Sequence, residues 1–327
     1  MSGPAPGGGS ALALLAPGPG TLTLGVELPL DNDWSTAGRQ RTRAAGRPSG
    51  VPDLRHHRER AALADRLGYT ALWLRDVPLW DPGFGDAGQV YDPFPYLGHL
   101  AAATSRILLG TAAIALPLRH PLHVAKMAAS VDRLSDGRLL LGIASGDRPL
   151  EYPAFGVDYA ERGQAVRDAV RIMREAWRPV PEQDGGPTVR VLPTPAQPTV
   201  PLLMAGHGRQ SPQWLAAHLD GHFTYHRRPA DMRPVAERWL EVCGDTPRPL
   251  LTTMFVDLAE DPGAPVRPIR FGARLGRDAL TDYLTGLQKC GVAHVALNFR
   301  FSERPVEDAL KEIAAYVLPV FCGPDRT

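Results

Sequence analysis

Short runs of apolar, β-rich residues alternate along this chain with segments whose apolar positions recur at helical spacing. Thr21 to Leu28 (TLTLGVEL) reads as a strand, and a polar loop follows to Gly50. A helix begins near Asp53, with Leu54, Ala61, Ala64 and Leu67 on one stripe and Gly68 closing it. Ala71 to Val77 is a second strand, Tyr91 to Thr104 a second helix, and Ile107 to Leu116 a long third strand. The third helix starts at Pro121, a favoured first-turn residue, and carries Val124, Met127, Val131 and Leu134. Arg138 to Ser145 is the fourth strand, and the following helix repeats Val166, Val170, Met173 and Trp177.

A Pro-rich stretch, Arg178 to Pro201, interrupts the alternation and predicts a surface hairpin. Strand five is Pro201 to Gly206, with a helix from Gln210 to His218, and strand six is Gly221 to Tyr225, with a helix through Val235 and Trp239. Strand seven is Leu250 to Leu258, followed by an Arg-rich insertion to Arg277. A helix with Leu280, Leu284 and Leu287, the strand His294 to Phe299, and a helix with Val306, Leu310, Ile313 and Val317 complete the pattern. Eight βα units predict an α/β fold, a closed (β/α)₈ TIM barrel with insertions in its loops. No Gly-x-Gly-x-x-Gly follows the first strand, which argues against a dinucleotide-binding sheet. One domain over residues 21–327 is expected, preceded by a disordered Gly/Pro/Ala-rich tail over 1–20.

Composition narrows the function classes. Thirty-six basic residues against 35 acidic give a net charge of +1, so nothing electrostatic points to nucleic acid or an anionic membrane. Three widely spaced cysteines form no CxxC pair, which leaves a reducing cytoplasm as the expectation. His120 and His123 lack the companions of a metal site, and none is predicted.

In such barrels chemistry sits at the C-terminal ends of the strands. The residues there are Glu27 and Leu28, Arg75 and Asp76, Ala112 to Leu116, Ser145 to Arg148, His207 to Ser211, Tyr225 to Arg228 and Asn298 to Arg300. Arginines beside serine and glycine suit an anionic ligand, and the uncharged pair Ala112 and Ala113 suits a planar ring. The most pointed segment is Gly206 to Ser211 (GHGRQS), joining strand five to a helix. Its glycines and helix start form a phosphate cradle with Arg209 and Ser211, or they make a tight turn that Ser211 caps. Arg270, Arg274 and Arg277 form either a second anion site or a solvated basic loop. Asp76 is a general base or a strand-end carboxylate paired with Arg75.

Gly110 to Asp147, with its L-P-x-x-x-H-P turn and L-S-x-G-R helix end, resembles the central segment of the bacterial luciferase-like flavin monooxygenases. Gly68 to Asp76, Phe155 to Arg162 and Asp220 to Tyr225 resemble further family segments in the same order. The resemblance implies a barrel whose mouth holds reduced FMN or, in a sister branch, an F420-type deazaflavin. It places the phosphate loop on His207, Gly208, Arg209, Gln210 and Ser211. The isoalloxazine wall falls on Ala112 and Ala113, joined by a non-prolyl cis peptide. Glu27, Ser145 and Arg148 join the cofactor set; Ser145 stands where luciferase carries an arginine. Many members have a catalytic His where this chain has Asp76, so Asp76, His120 or Tyr225 is expected to substitute. The activity implied is oxygenation of a small organic substrate with O₂, reduced FMN coming from a separate NAD(P)H-dependent flavin reductase, in a homodimer. The alternatives are hydride transfer with a deazaflavin, and a flavin-binding protein without catalysis.

Overall fold

The computed structural model describes residues 10–81, 83–84, 91–178 and 190–321. In chain order the elements are α1 (Ala11–Leu15), β1 (Thr23–Glu27), α2 (Thr36–Ala44), α3 (His57–Arg66), β2 (Ala71–Leu74), α4 (Pro93–Ala103), β3 (Leu108–Thr111) and β4 (Ile114–Ala115). After a 3₁₀ turn at Leu116–Leu118 come α5 (Pro121–Leu134), β5 (Leu139–Ala144), α6 (Glu151–Ala154), α7 (Arg162–Ala176), β6 (Leu202–Ala205), α8 (Pro212–His218) and β7 (Gly221–Thr224). The last third holds α9 (Pro229–Cys243), β8 (Leu250–Leu258), β9 (Arg267–Ile269), β10 (Gly272–Leu275), α10 (Arg277–Lys289), β11 (Val292–Asn298), α11 (Val306–Tyr316) and α12 (Leu318–Phe321).

Eight parallel strands run in the order β1-β2-β3-β5-β6-β7-β8-β11, and β11 pairs with both β8 and β1, so the barrel closes. Strand residues alternate between two cores. Leu24, Val26, Leu72, Leu109 and Leu141 face the helices, while Trp73, Leu108, Leu140, Leu203 and Phe223 fill the barrel. The helical stripes cover the outer layer, Val166, Val170 and Met173 of α7 among them. Among the described residues no helix is long and apolar enough to cross a membrane.

Four expectations need correction. The tail expected through Gly20 is folded from Ser10: α1, capped by the Ser10 hydroxyl, plugs the N-terminal end of the barrel with Ala11 and Leu15 fully buried. Five residues are too few to show a helical period, so its apolar run passes for a tail; residues 1–9 lie outside the described set. The loop after β1 contains α2, whose start Ser35 caps by accepting from the Gly38 amide at 2.9 Å. The long third strand is broken into β3 and β4, with the cis Ala112–Ala113 peptide between them. The insertion after β8 is an antiparallel hairpin, β9–β10, whose second strand pairs parallel with the outer half of β8. Much of the surface hairpin expected over Arg178 to Pro201 lies outside the described residues, and residues 190–201 hold no strand.

Candidate active site

The C-terminal ends of the strands surround a cavity of about 650 Å³, within the range of cofactor sites. One stretch of the lining is built of alanines: Ala112, Ala113, Ala115, Ala144 and Ala205 lie across the ends of β3 to β6 and offer no side chain larger than a methyl group. At one end of that wall is the loop after β6. Gly206, Gly208 and the non-glycine Arg209 all take left-handed backbone, at φ 64°, 55° and 61°. A β-carbon on Gly208 would lie 2.5 Å from the Met204 sulfur, so the loop is pressed onto its own strand. Arg148 and Arg162 also line the cavity; Arg162 adjoins Gly163, where a β-carbon would lie 3.0 Å from the Arg209 β-carbon, and it stacks on the Tyr159 ring with its guanidinium carbon 3.5 Å from the centroid.

The loop does not use all the residues expected of it. Gln210 is buried outside the cavity lining, donating to the Gly163 carbonyl at 2.7 Å and to that of Gly208 at 2.9 Å, and accepting from Arg167. Ser211 also lies off the lining and caps α8, its hydroxyl accepting from the Trp214 amide at 3.2 Å. The tight-turn reading therefore describes Ser211, while His207, Gly208 and Arg209 line the cavity.

Glu27 and Tyr225 line the cavity, the first buried and facing Arg75 at 3.7 Å, the second largely exposed. His120 is not among the lining residues; it is exposed at the start of α5, where its Nδ1 accepts from the Leu122 amide at 3.3 Å. Asp76 lines the cavity, but its partner is Arg119, at 2.8 and 3.1 Å, and its Oδ2 also accepts from the Ala115 amide at 3.1 Å. Of the three insertion arginines only Arg270 reaches the cavity, since Arg274 pairs with Asp257 at 2.7 Å and Arg277 with Glu312 at 3.5 Å.

Other lining residues were not anticipated from sequence. Trp34, Phe223, Phe255 and Phe271 make an aromatic face. His226, which belongs to the expected Tyr225–Arg228 strand end, borders the cavity as well, its Nε2 2.9 Å from the Tyr283 hydroxyl, and burial pushes its pKa down to about 4. Nothing marked Phe255, in the middle of an apolar strand, as other than core.

The alanine wall, with arginines at one end, fits a flat ring system carrying a phosphate. A model described as luciferase-like monooxygenase matches residues 33–249. The chain belongs to that family. Within it, the chain is 34% identical over 185 residues to an uncharacterised protein of Mycobacterium tuberculosis, covering 50% of this chain and 65% of that one. It thus spans just under two thirds of that relative's length. It is 30% identical over 160 residues to the oxygenase component of a flavin-dependent trigonelline monooxygenase of Acinetobacter baylyi, 47% of this chain and 43% of that one. It is 28% identical over 268 residues to an F420-dependent glucose-6-phosphate dehydrogenase of Kineococcus radiotolerans, 77% of this chain and 76% of that one. The crystal structure of the monooxygenase RslO1 from Streptomyces bottropensis superposes with a TM-score of 0.69 over 92% of this chain and all of that one; at 18% identity the likeness is one of fold. The proteins similar to this chain thus include both a flavin-dependent monooxygenase component and an F420-dependent dehydrogenase.

Proposed function

We propose that this luciferase-like oxidoreductase is a monooxygenase that takes reduced FMN from a separate NAD(P)H-dependent reductase and oxygenates a small organic substrate with O₂. The observation that carries the reading is the alanine wall ending at the left-handed, arginine-bearing loop Gly206–Arg209. Arg209 and Arg162 hold the phosphate, with the Ser145–Arg148 loop beside them, and Ala112, Ala113 and Ala144 seat the rings. Reduced flavin, when bound, supplies the chemistry with O₂. Asp76 is a positioning residue: its carboxylate lone pairs are committed to Arg119 and to the Ala115 amide, which fixes the chain next to the ring wall. The aromatic face excludes water. His226 stays neutral at pH 7 and shares a proton between Nε2 and the Tyr283 oxygen. A homodimer is part of this reading, checked by light scattering.

A second reading, hydride transfer with an F420-type deazaflavin, is favoured by the extent of the Kineococcus alignment, 77% of this chain. Anaerobic titration of the protein with reduced FMN and with F420 separates the two. Saturable binding of reduced FMN, followed by reductase-dependent O₂ uptake with substrate, is expected. Binding of F420 alone sinks the first reading, and FMN binding without turnover over a broad substrate panel leaves a flavin-binding protein.

A further inference from the structure

Across the cavity from the alanine wall stands a face of different chemistry. Trp34, from the loop after β1, stacks on Phe255 of β8 with ring centroids 5.7 Å apart and planes at 26°. The indole is held from behind: the Trp34 amide donates to the Arg300 carbonyl at 2.9 Å, and the Arg300 guanidinium lies 4.1 Å from the ring centroid. Arg300 is itself fixed by a buried ion pair with Asp33, its Nε donating at 2.7 Å. These contacts make the indole a rigid platform.

The β9–β10 hairpin brings a third aromatic residue to the cavity lining. Its tip residue Phe271 has φ 52°, a conformation that side-chain-bearing residues seldom adopt, and its ring is 47% exposed. The tip is pinned to the platform strand, because the Phe255 amide donates to the Phe271 carbonyl at 3.0 Å. At the next residue only glycine fits: a β-carbon on Gly272 would lie 1.8 Å from the Phe255 carbonyl oxygen. Backbone contacts of the hairpin therefore hold an exposed aromatic ring at the mouth. Beside that ring, 5.4 Å from its centroid, is the guanidinium of Arg270. Arg270 is exposed, lines the cavity, and has no carboxylate within ion-pair distance among the described residues. By contrast Glu27, on the cavity wall, faces Arg75, and Asp76 is taken by Arg119.

We propose that this face recognises a flat aromatic acid, with its ring against Trp34, Phe255 and Phe271 and its acid group on Arg270. The inference rests on the reading that the alanine wall takes the flavin, and it names the substrate class for that same site. Aromatic faces stack flat rings and reward them over saturated ones of equal size. An arginine at the mouth adds a charge-assisted contact that a neutral analogue cannot make.

The test measures binding of 1-naphthoate and its neutral counterpart 1-naphthamide by calorimetry, in flavin-free and FMN-loaded protein, with FMN affinity measured separately. The parent is expected to bind 1-naphthoate about tenfold or more tightly than the amide. Arg270→Gln should abolish that preference by weakening the acid and leaving the amide unchanged. Phe271→Ala should weaken both probes. Equal binding of acid and amide, binding of neither, or an unchanged preference in Arg270→Gln overturns the proposal. So does loss of FMN affinity in Arg270→Gln with the preference intact, which would give Arg270 to the cofactor. If FMN does not bind while the preference and its loss in Arg270→Gln are observed, the flavin reading fails and the acid site stands.

Discussion

Asp76 at the end of β2 and Arg119 beyond β4 form a two-point ion pair, at 2.8 and 3.1 Å, with the Asp76 side chain 1% exposed. The same guanidinium reaches Asp92 at 2.7 Å, the residue that caps α4 by accepting from the Phe94 amide. One arginine thus joins two strand ends and a helix start, and the shared carboxylate accepts from the amide of Ala115 in the alanine wall.

Removing that carboxylate should therefore act on stability and flavin affinity together. Asp76→Ala is expected to cost about 3–5 kcal/mol, towards the lower end because Arg119 keeps Asp92, and to weaken FMN binding. Asp76→Asn should recover part of both and leave the shape of the kcat/KM pH profile unchanged. Chemical denaturation and flavin titration check this. A variant of parental stability whose rate alone falls by about 10²–10⁴ would make Asp76 a general base instead.

The loop after β6 allows charge and backbone to be tested apart. Arg209→Ala should weaken FMN binding by about ten- to a hundredfold. Arg209→Gly should lose as much affinity while folding at least as stably, because glycine relieves the left-handed backbone at φ 61°. Ser211→Ala should cost about 1 kcal/mol through the α8 cap and leave FMN affinity unchanged. Fluorescence titration of FMN beside urea unfolding of each variant reads both quantities. FMN affinity that falls only in Ser211→Ala would move the cradle to the helix start.

The barrel and the position of its active end are written locally, in the alternation of strand and helix periods and in the polar residues just past each strand. Gly206 to Arg209 could be read the same way, since a glycine-rich turn at a strand end needs no distant information. Pairings over long separations could not. Arg119 lies 43 residues from Asp76, and Arg75 sits beside that aspartate in sequence, which makes it the natural but mistaken choice of partner. Trp34 and Phe255 look like a loop residue and a core residue until the barrel closes and stacks them. His120 illustrates the reverse case, a residue that follows a strand in sequence but turns away from the cavity to start a helix.

A buried chain of polar contacts at the other end of the barrel predicts how the fold responds to acid. Trp73 Nε1 donates to His294 Nε2 at 2.9 Å, so the His294 proton is on Nδ1, which faces the Thr23 hydroxyl at 2.7 Å. That hydroxyl donates to the Leu15 carbonyl at 2.5 Å, tying the chain to α1. A second proton on Nε2 would point at the indole N–H, and burial pushes the His294 pKa down to about 3 from 6.5. The unfolded state therefore binds more protons than the native state between those values, so this group's contribution is complete above about pH 6.5 and is lost as pH falls towards 3. At its steepest the slope from one such histidine is about 1.4 kcal/mol per pH unit. His294→Gln should lower stability at pH 7, because its amide cannot reproduce both imidazole contacts. It should also make stability fall less steeply than the parent's between pH 6.5 and 4, where the wild-type histidine titrates only on unfolding. Carboxylates contribute to the acid slope of both proteins, so the difference between the two curves is the quantity to measure, by urea unfolding at several pH values. Parallel curves would mean that His294 titrates alike in both states and that the chain from Trp73 to Leu15 does not hold it neutral.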